Sequence, residues 1–170
     1  MAFHTQLFVL SGVHPNRQMD AAMTPSVTPS ITPFIQKLLA RPCITVTAGA
    51  TSDEVIRLLA KHNIGAVVVV TRTQRLAGII SERDIVRRLD QSVHISDLSA
   101  SDLMTGDVIS VGTDVTSADL MKIMTENKCR HLPILSEGKL VGMVSIGDVV
   151  KRLLEKYQSE VEQMRSFINS

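Results

Sequence analysis

One pattern occurs twice in this chain and constrains everything else: Gly78-Ile79-Ile80-Ser81-Glu82-Arg83-Asp84 and Gly142-Met143-Val144-Ser145-Ile146-Gly147-Asp148. Both read Gly, two apolar residues, Ser, two free positions and Asp, and both lead into an apolar-periodic run. Their surroundings match as well. The offset between copies is 65 at Thr51 and Thr116 and 64 at Gly78 and Gly142, so one residue is lost at the turn between them. Loops absorb such changes, and a repeat of this length must be settled before any fold is considered.

Within each copy the order of elements is the same. Ile44 to Thr47 and Val108 to Val111 read as short strands. Thr51-Ser52-Asp53-Glu54 and Thr116-Ser117-Ala118-Asp119 are capping boxes that open helices. The first of these helices is expected to bury Val55, Leu58, Leu59 and the ring edge of His62. Gly65 to Val70 is a continuous β-branched run, as in a strand covered on both faces, and Leu76 to Ile80 returns as its hairpin partner. Leu132 to Leu135 and Leu140 to Val144 repeat that hairpin. A helix follows each Ser-x-x-Asp run, the first carrying Ile85, Val86 and Leu89.

The predicted class is therefore α/β (α+β): two β-α-β-β-α repeats packed with pseudo-two-fold symmetry, plus a long C-terminal helix. Units of about 60 residues are marginal alone, so the two are expected to share a core. The expected organisation is an irregular N-terminal arm over 1–40, with a short helix at Phe34 to Leu39, and a first repeat over 41–93. A linker with a short helix over 94–107 leads to a second repeat over 108–154 and a helical extension over 155–170. The last helix carries Val149, Val150, Leu153, Leu154, Tyr157, Val161, Met164 and Ile168 at spacings of three and four. At 1.5 Å per residue it extends about 33 Å, more than one small unit covers, which predicts a subunit contact.

Composition removes several function classes. With no Trp, one Tyr and four Phe, the core must be aliphatic. The net charge of +1 gives no field for nucleic acid, and no basic stripe is present. Cys43 and Cys129 fit no metal spacing and no disulfide framework, and are expected as reduced thiols. No apolar run approaches the roughly 20 residues of a membrane span. A cytoplasmic location is expected, with an organelle matrix as the alternative. Nucleophile-elbow, zinc-protease and phosphate-loop patterns are all lacking, and the five histidines are scattered, so catalysis is not expected.

Taken alone, Ser81-x-x-Asp84 and Ser145-x-x-Asp148 are helix N-caps. Three features point beyond capping. Gly78 and Gly142 precede each Ser at the same distance and permit close backbone approach. The helix N-terminus offers free amides to an anion. A carboxylate has acceptors for a ribose diol. Next to the second hairpin, Lys128-Cys129-Arg130-His131-Leu132-Pro133 presents a guanidinium fork for phosphate oxygens and a titratable imidazole. The matching positions of the first copy, Gly65 and Ala66, carry no charge, so the two halves should not bind alike.

From Ile44 to Leu154 the chain resembles a tandem pair of CBS domains, the regulatory unit called a Bateman module. Both Gly-x-x-Ser-x-x-Asp runs, Arg130 to Pro133, Met104-Thr105 and the repeat itself carry the resemblance. It is similar to stand-alone pairs of bacteria and plant organelles. The resemblance implies two clefts for adenosyl ligands such as AMP, ADP, ATP, NAD or S-adenosylmethionine. One would combine Ser81, Arg83 and Asp84 with Ile109, Val111, Arg130 and His131. The other would combine Ser145 and Asp148 with Thr45, Val46, Gly65 and Ala66. In the first, Asp84 would hold the ribose, Arg130 and His131 the phosphates, and backbone near Ile109 and Val111 the adenine. The second lacks a basic pair. The implied role is regulation: a ligand-sensing module, homodimeric as a four-unit disc, that signals to a partner. The alternative is a scaffold that docks through its C-terminal helix with vacant clefts.

Overall fold

A computed structural model describes residues 31–90 and 94–168. The expectations for the arm before residue 31 lie outside the described residues. The elements run α1 (Pro33–Leu39), β1 (Thr45–Thr47), α2 (Ser52–His62), β2 (Ala66–Val70), β3 (Leu76–Ser81), α3 (Glu82–Leu89), α4 (Ala100–Leu103), α5 (Ser117–Glu126), β4 (His131–Ser136), β5 (Lys139–Ser145) and α6 (Ile146–Ile168).

The first sheet has the order β1-β2-β3, with β1 parallel and β3 antiparallel to the central strand. Every residue of β2 is buried, as its unbroken β-branched run requires. The second sheet is the β4-β5 hairpin. Both hairpins shift register at the matching place, Val69/Val70 and Ile134/Leu135, so the repeat extends to a local irregularity. Thr51 and Thr116 cap α2 and α5 through their hydroxyls, which accept from Glu54 N and Asp119 N at 3.2 Å each. The reciprocal carboxylate bond of a full capping box forms at Asp119. At α2 the hydroxyl half of the box is what forms. On α2, Val55 and Leu59 are buried and Leu58 half-buried, but His62 is exposed.

The strand expected over Val108 to Val111 is reduced to a single parallel bridge, Val111 with Ile134. Proline is the cause. In the first unit Val68 N donates to Ile44 O at 3.4 Å, a bond that extends β1 along β2. The residue matching Val68 is Pro133, which has no N–H, so Ile109 O receives no equivalent bond. What remains is Val111 N to Pro133 O at 3.0 Å and Leu135 N to Val111 O at 2.8 Å.

The interior is not one shared core but two clusters. One gathers Val46, Val55, Leu59, Val67, Val69, Ile80, Ala100 and Leu103. The other gathers Ile35, Leu38, Val111, Leu120, Met124, Leu132, Ile134, Val144 and Val149. Each sheet is closed by a short helix: α4 covers the first, and α1 reaches across the chain to cover the second. Thr32 ties α1 there, its N–H donating to Thr113 O at 3.1 Å and its hydroxyl to Val115 O at 3.3 Å. Residues 33–39, expected at the end of an irregular arm, are thus part of the second core.

The two glycines of the repeated motif serve this closure. A Cβ on Gly78 would lie 2.6 Å from the Met104 sulfur and 3.0 Å from Met104 Cβ. A Cβ on Gly142 would lie 2.8 Å from Leu39 Cδ2. The close approach read from the sequence is therefore made by the residue ending each covering helix, not by a ligand. Of the apolar residues carried by α3, Val86 and Leu89 are 63% and 55% exposed.

Candidate functional site

Each Ser-x-x-Asp run joins the end of a hairpin to a helix, and its capping bonds fix the carboxylate. In the first unit Asp84 Oδ2 accepts from Ser81 N at 2.8 Å and Ser81 Oγ at 2.6 Å. In the second, Asp148 Oδ2 accepts from Ser145 N at 3.0 Å and Ser145 Oγ at 2.6 Å. The reading of these runs as caps is correct. It also leaves Oδ1 of each Asp pointing away from its own cap.

Around Asp84 the chain forms a cavity of about 250 Å³, somewhat below the roughly 300–1,000 Å³ usual for small-molecule sites. Ser81, Arg83, Asp84, Ile109, Arg130 and His131 all line it, so six of the seven residues expected in this cleft are brought together. Val111 is not among them. It is buried in the second core, and both its backbone N–H and its carbonyl are taken up by β4. Arg87, Thr105, Asp107, Asn127 and Lys128 line the cavity as well. Arg87 was legible as the residue one turn beyond Arg83 on the same helix, and Lys128 stood beside the Arg130-His131 pair. Met104-Thr105 carried the family resemblance without pointing to the cavity, and Asp107 gave no signal, because their place depends on Thr105 pairing with Ile79 as an extra bridge on β3. The walls are apolar at Ile79, Val108, Ile109 and Leu132, and cationic at Arg83, Arg87, Lys128 and Arg130. Such a space has stacking surface for a flat ring, an acceptor for hydroxyls and several donors for an anion.

The second set is less concentrated. Val46 and Ala66 are buried in the fold, so they present no side chain to a ligand, and Thr45 and Gly65 are half-buried. Asp148 Oδ1 accepts from Arg41 Nη2 at 2.8 Å. Burial raises the Asp148 pKa, but the bonds from Ser145 and then Arg41 outweigh it and hold the carboxyl below its usual value.

His131 stands where the halves meet. A Cβ on Gly65 would lie 3.3 Å from His131 Cε1, so the bare Gly65 makes room for the imidazole of the other unit. Burial lowers the His131 pKa and neighbouring Arg130 lowers it further, partly opposed by Glu82 and Asp148. The imidazole is thus kept neutral near pH 7. Each helix N-terminus is anchored to the same pre-strand position, through Glu82 N to Gly65 O at 3.1 Å and Ile146 N to Arg130 O at 2.8 Å. Cys43 and Cys129 are free, and burial raises both thiol pKa values.

The profile of the CBS domain matches residues 35–91 and 100–155. The chain belongs to the CBS domain family. Both repeats are covered, and the first match begins inside α1, in keeping with that helix's place in the fold. The CBS pair is 34% identical over 127 residues to the mitochondrial CBS domain-containing protein CBSX3 of Arabidopsis thaliana, over 72% of this chain and 62% of that one. It therefore spans less than two thirds of the Arabidopsis protein. A CBS-domain containing protein of Agrobacterium tumefaciens is 37% identical in its crystal structure, with a TM-score of 0.65 over 70% of this chain and 98% of the other. A CBS domain protein of Pyrobaculum aerophilum, complexed with AMP, is 30% identical, with a TM-score of 0.62 over 67% of this chain and 88% of that one. Inosine-5'-monophosphate dehydrogenase of Korarchaeum cryptofilum matches over 26% of its own length. Among the described residues no helix is long and apolar enough to cross a membrane.

Proposed function

We propose that this CBS pair is a regulatory module that binds an adenosyl nucleotide in the first cleft and passes its occupancy to a partner protein. The observation that carries this reading is the placement of Asp84, Arg130 and His131 on one cavity with apolar walls. Asp84 Oδ1 has no protein donor among the described residues and is available to ribose hydroxyls. Arg130, with Lys128, Arg83 and Arg87, offers donors to phosphate oxygens. Ile109 O, relieved of a ladder bond by Pro133, is an acceptor for an exocyclic amine on adenine. AMP, ADP, ATP and NAD share the adenosine half that these groups would read, and the AMP complex of the Pyrobaculum relative supports the same class.

A thermal-shift panel of AMP, ADP, ATP, NAD, NADH and S-adenosylmethionine tests the reading. A ligand at a hundredfold excess over Kd stabilises the fold by about 2.7 kcal/mol, an easily measured rise in Tm. No rise with any of the six at millimolar concentration would overturn it.

A second reading rests on α6. Beyond the second core its stripe is open to solvent, with Leu154 57%, Tyr157 64%, Val161 46% and Met164 65% exposed. A second copy of the chain is the occupant expected here, making a homodimer. Truncation after Leu154 would then yield monomer by sedimentation. A truncated chain that still dimerises would place the contact elsewhere.

A further inference from the structure

The carboxylates of Asp84 and Asp148 hold matching positions but are not equally available. In both, Oδ2 is occupied by the Ser of its own motif. Oδ1 of Asp148 also accepts from Arg41, which comes from the segment between α1 and β1, 107 positions away in the chain. The place matching Arg41, 65 residues further on, is Gly106, so nothing equivalent reaches Asp84. The cation absent from Gly65 and Ala66 is therefore supplied to the second cleft from outside the hairpin. The Arg41 side chain is 56% exposed, and Asp148's 21%. An ion pair so open to water is weak, and a better partner can draw the guanidinium off.

We propose that Arg41 sets the specificity of the second cleft, covering the diol-accepting oxygen of Asp148 until an anionic group on an adenosyl ligand draws it away. This rests on the adenosyl reading of the clefts. A neutral nucleoside must displace a charge-assisted bond with hydroxyls alone and gives the guanidinium nothing in return. A nucleoside monophosphate gives it a bidentate partner and frees Asp148 Oδ1 for the ribose. The second cleft therefore discriminates by the charge of the ligand's 5' group, with Arg41 as both cover and receptor.

The test is calorimetric titration of the full chain carrying Asp84→Ala, which silences the first cleft, with AMP and with adenosine. AMP is expected to bind more tightly than adenosine by about tenfold or more, the scale of one charge-assisted bond. Adding Arg41→Gln should narrow that ratio towards unity, AMP weakening and adenosine strengthening, while Arg41→Lys keeps part of it. A ratio unmoved by Arg41→Gln, equal weakening of both ligands, or no binding by either Asp84→Ala chain would overturn the proposal. Should Asp84→Ala fail to fold, Arg41→Gln alone gives the same comparison from the second site of a two-site isotherm. Loss of the parent reading looks different: wild-type chain would bind neither ligand at all.

Discussion

The two Ser-x-x-Asp sites start from the same seven-residue motif and end in different states. Around Asp84 the carboxylate faces a cavity whose cations come from α3 and from the segment before β4. Around Asp148 the carboxylate is capped by Arg41, and the matching pre-strand residues are bare. The motif itself is held identically in both halves, by two bonds from its own Ser. The repeat therefore fixes where a carboxylate stands, while residues reaching in from outside the repeat decide what it can accept. His131 shows the constraint at its tightest. A Cβ on Gly65, the position that matches Arg130, would lie 3.3 Å from its imidazole, so a side chain there would crowd His131 and the two pre-strand positions are not interchangeable.

The sharpest break of this comparison is a pair of alanines. Asp84→Ala removes the open acceptor of the first cleft, and with bonds to a charged group at about 1.5–3 kcal/mol the loss in AMP affinity should reach roughly 100-fold. Asp148→Ala should change affinity at that tighter site by less than about threefold, since it leaves the cavity intact. Calorimetry on both variants checks the order, and equal losses would erase the distinction between clefts.

The glycines separate the halves by stability instead. Overpacking typically costs about 1–3 kcal/mol, and Gly78→Ala should lie at the upper end because it meets Met104 at Cγ and Cβ, close to the backbone. Gly142→Ala meets the tip of Leu39, which can rotate away, and should cost about 1 kcal/mol. Urea denaturation gives both values. The reverse order would mean that α1 is held more rigidly than α4.

These cases show what the sequence disclosed and what it withheld. The repeat, the caps at Ser81, Thr116 and Ser145, and the buried run of β2 were legible because each is a local signal with one physical meaning. The grouping of Ser81, Asp84, Arg130 and His131 followed from the family resemblance. Three things were not legible. Gly78 and Gly142 looked like ligand approaches because the sequence does not say which atoms come near. Residues 33–39 looked peripheral because nothing local shows that Ile35 and Leu38 complete a core more than 70 residues away. Arg41 was invisible for the same reason: its partner is 107 positions distant. Pro133 could have been read, since a proline facing β1's counterpart removes a ladder donor, and it predicts the shortened strand at once.

A smaller effect tests the shared boundary. His131 has a pKa held below its ordinary value of 6.5, by burial first and then by Arg130, with Glu82 and Asp148 opposing. Just below pH 6.5 the unfolded chain takes up a proton that the folded chain refuses, so stability should decline as the pH falls through that window. His131→Gln removes the titrating group and should flatten that part of the profile, read as Tm against pH between about 7.5 and 5.5. An unchanged slope would mean that the imidazole is not held neutral by its place between the units.

The smallest expected change in stability comes from Pro133→Val, which asks whether one missing N–H separates the two sheets. The substitution supplies the donor that Val68 uses in the first unit, and its target is Ile109 O. A net gain of about 0.5–1.5 kcal/mol for the hydrogen bond is offset by about 0.4–1 kcal/mol as the unfolded chain regains the freedom proline had removed. Tm should therefore barely move. Hydrogen exchange should nonetheless show a protected amide at position 133. AMP affinity should fall, because the carbonyl of Ile109 now faces the sheet rather than the cleft. A protected amide with unchanged affinity would remove Ile109 from the adenine-reading wall while leaving Asp84 and Arg130 in place. An unprotected one would show that the segment before Val111 is held off β4 by something other than the proline.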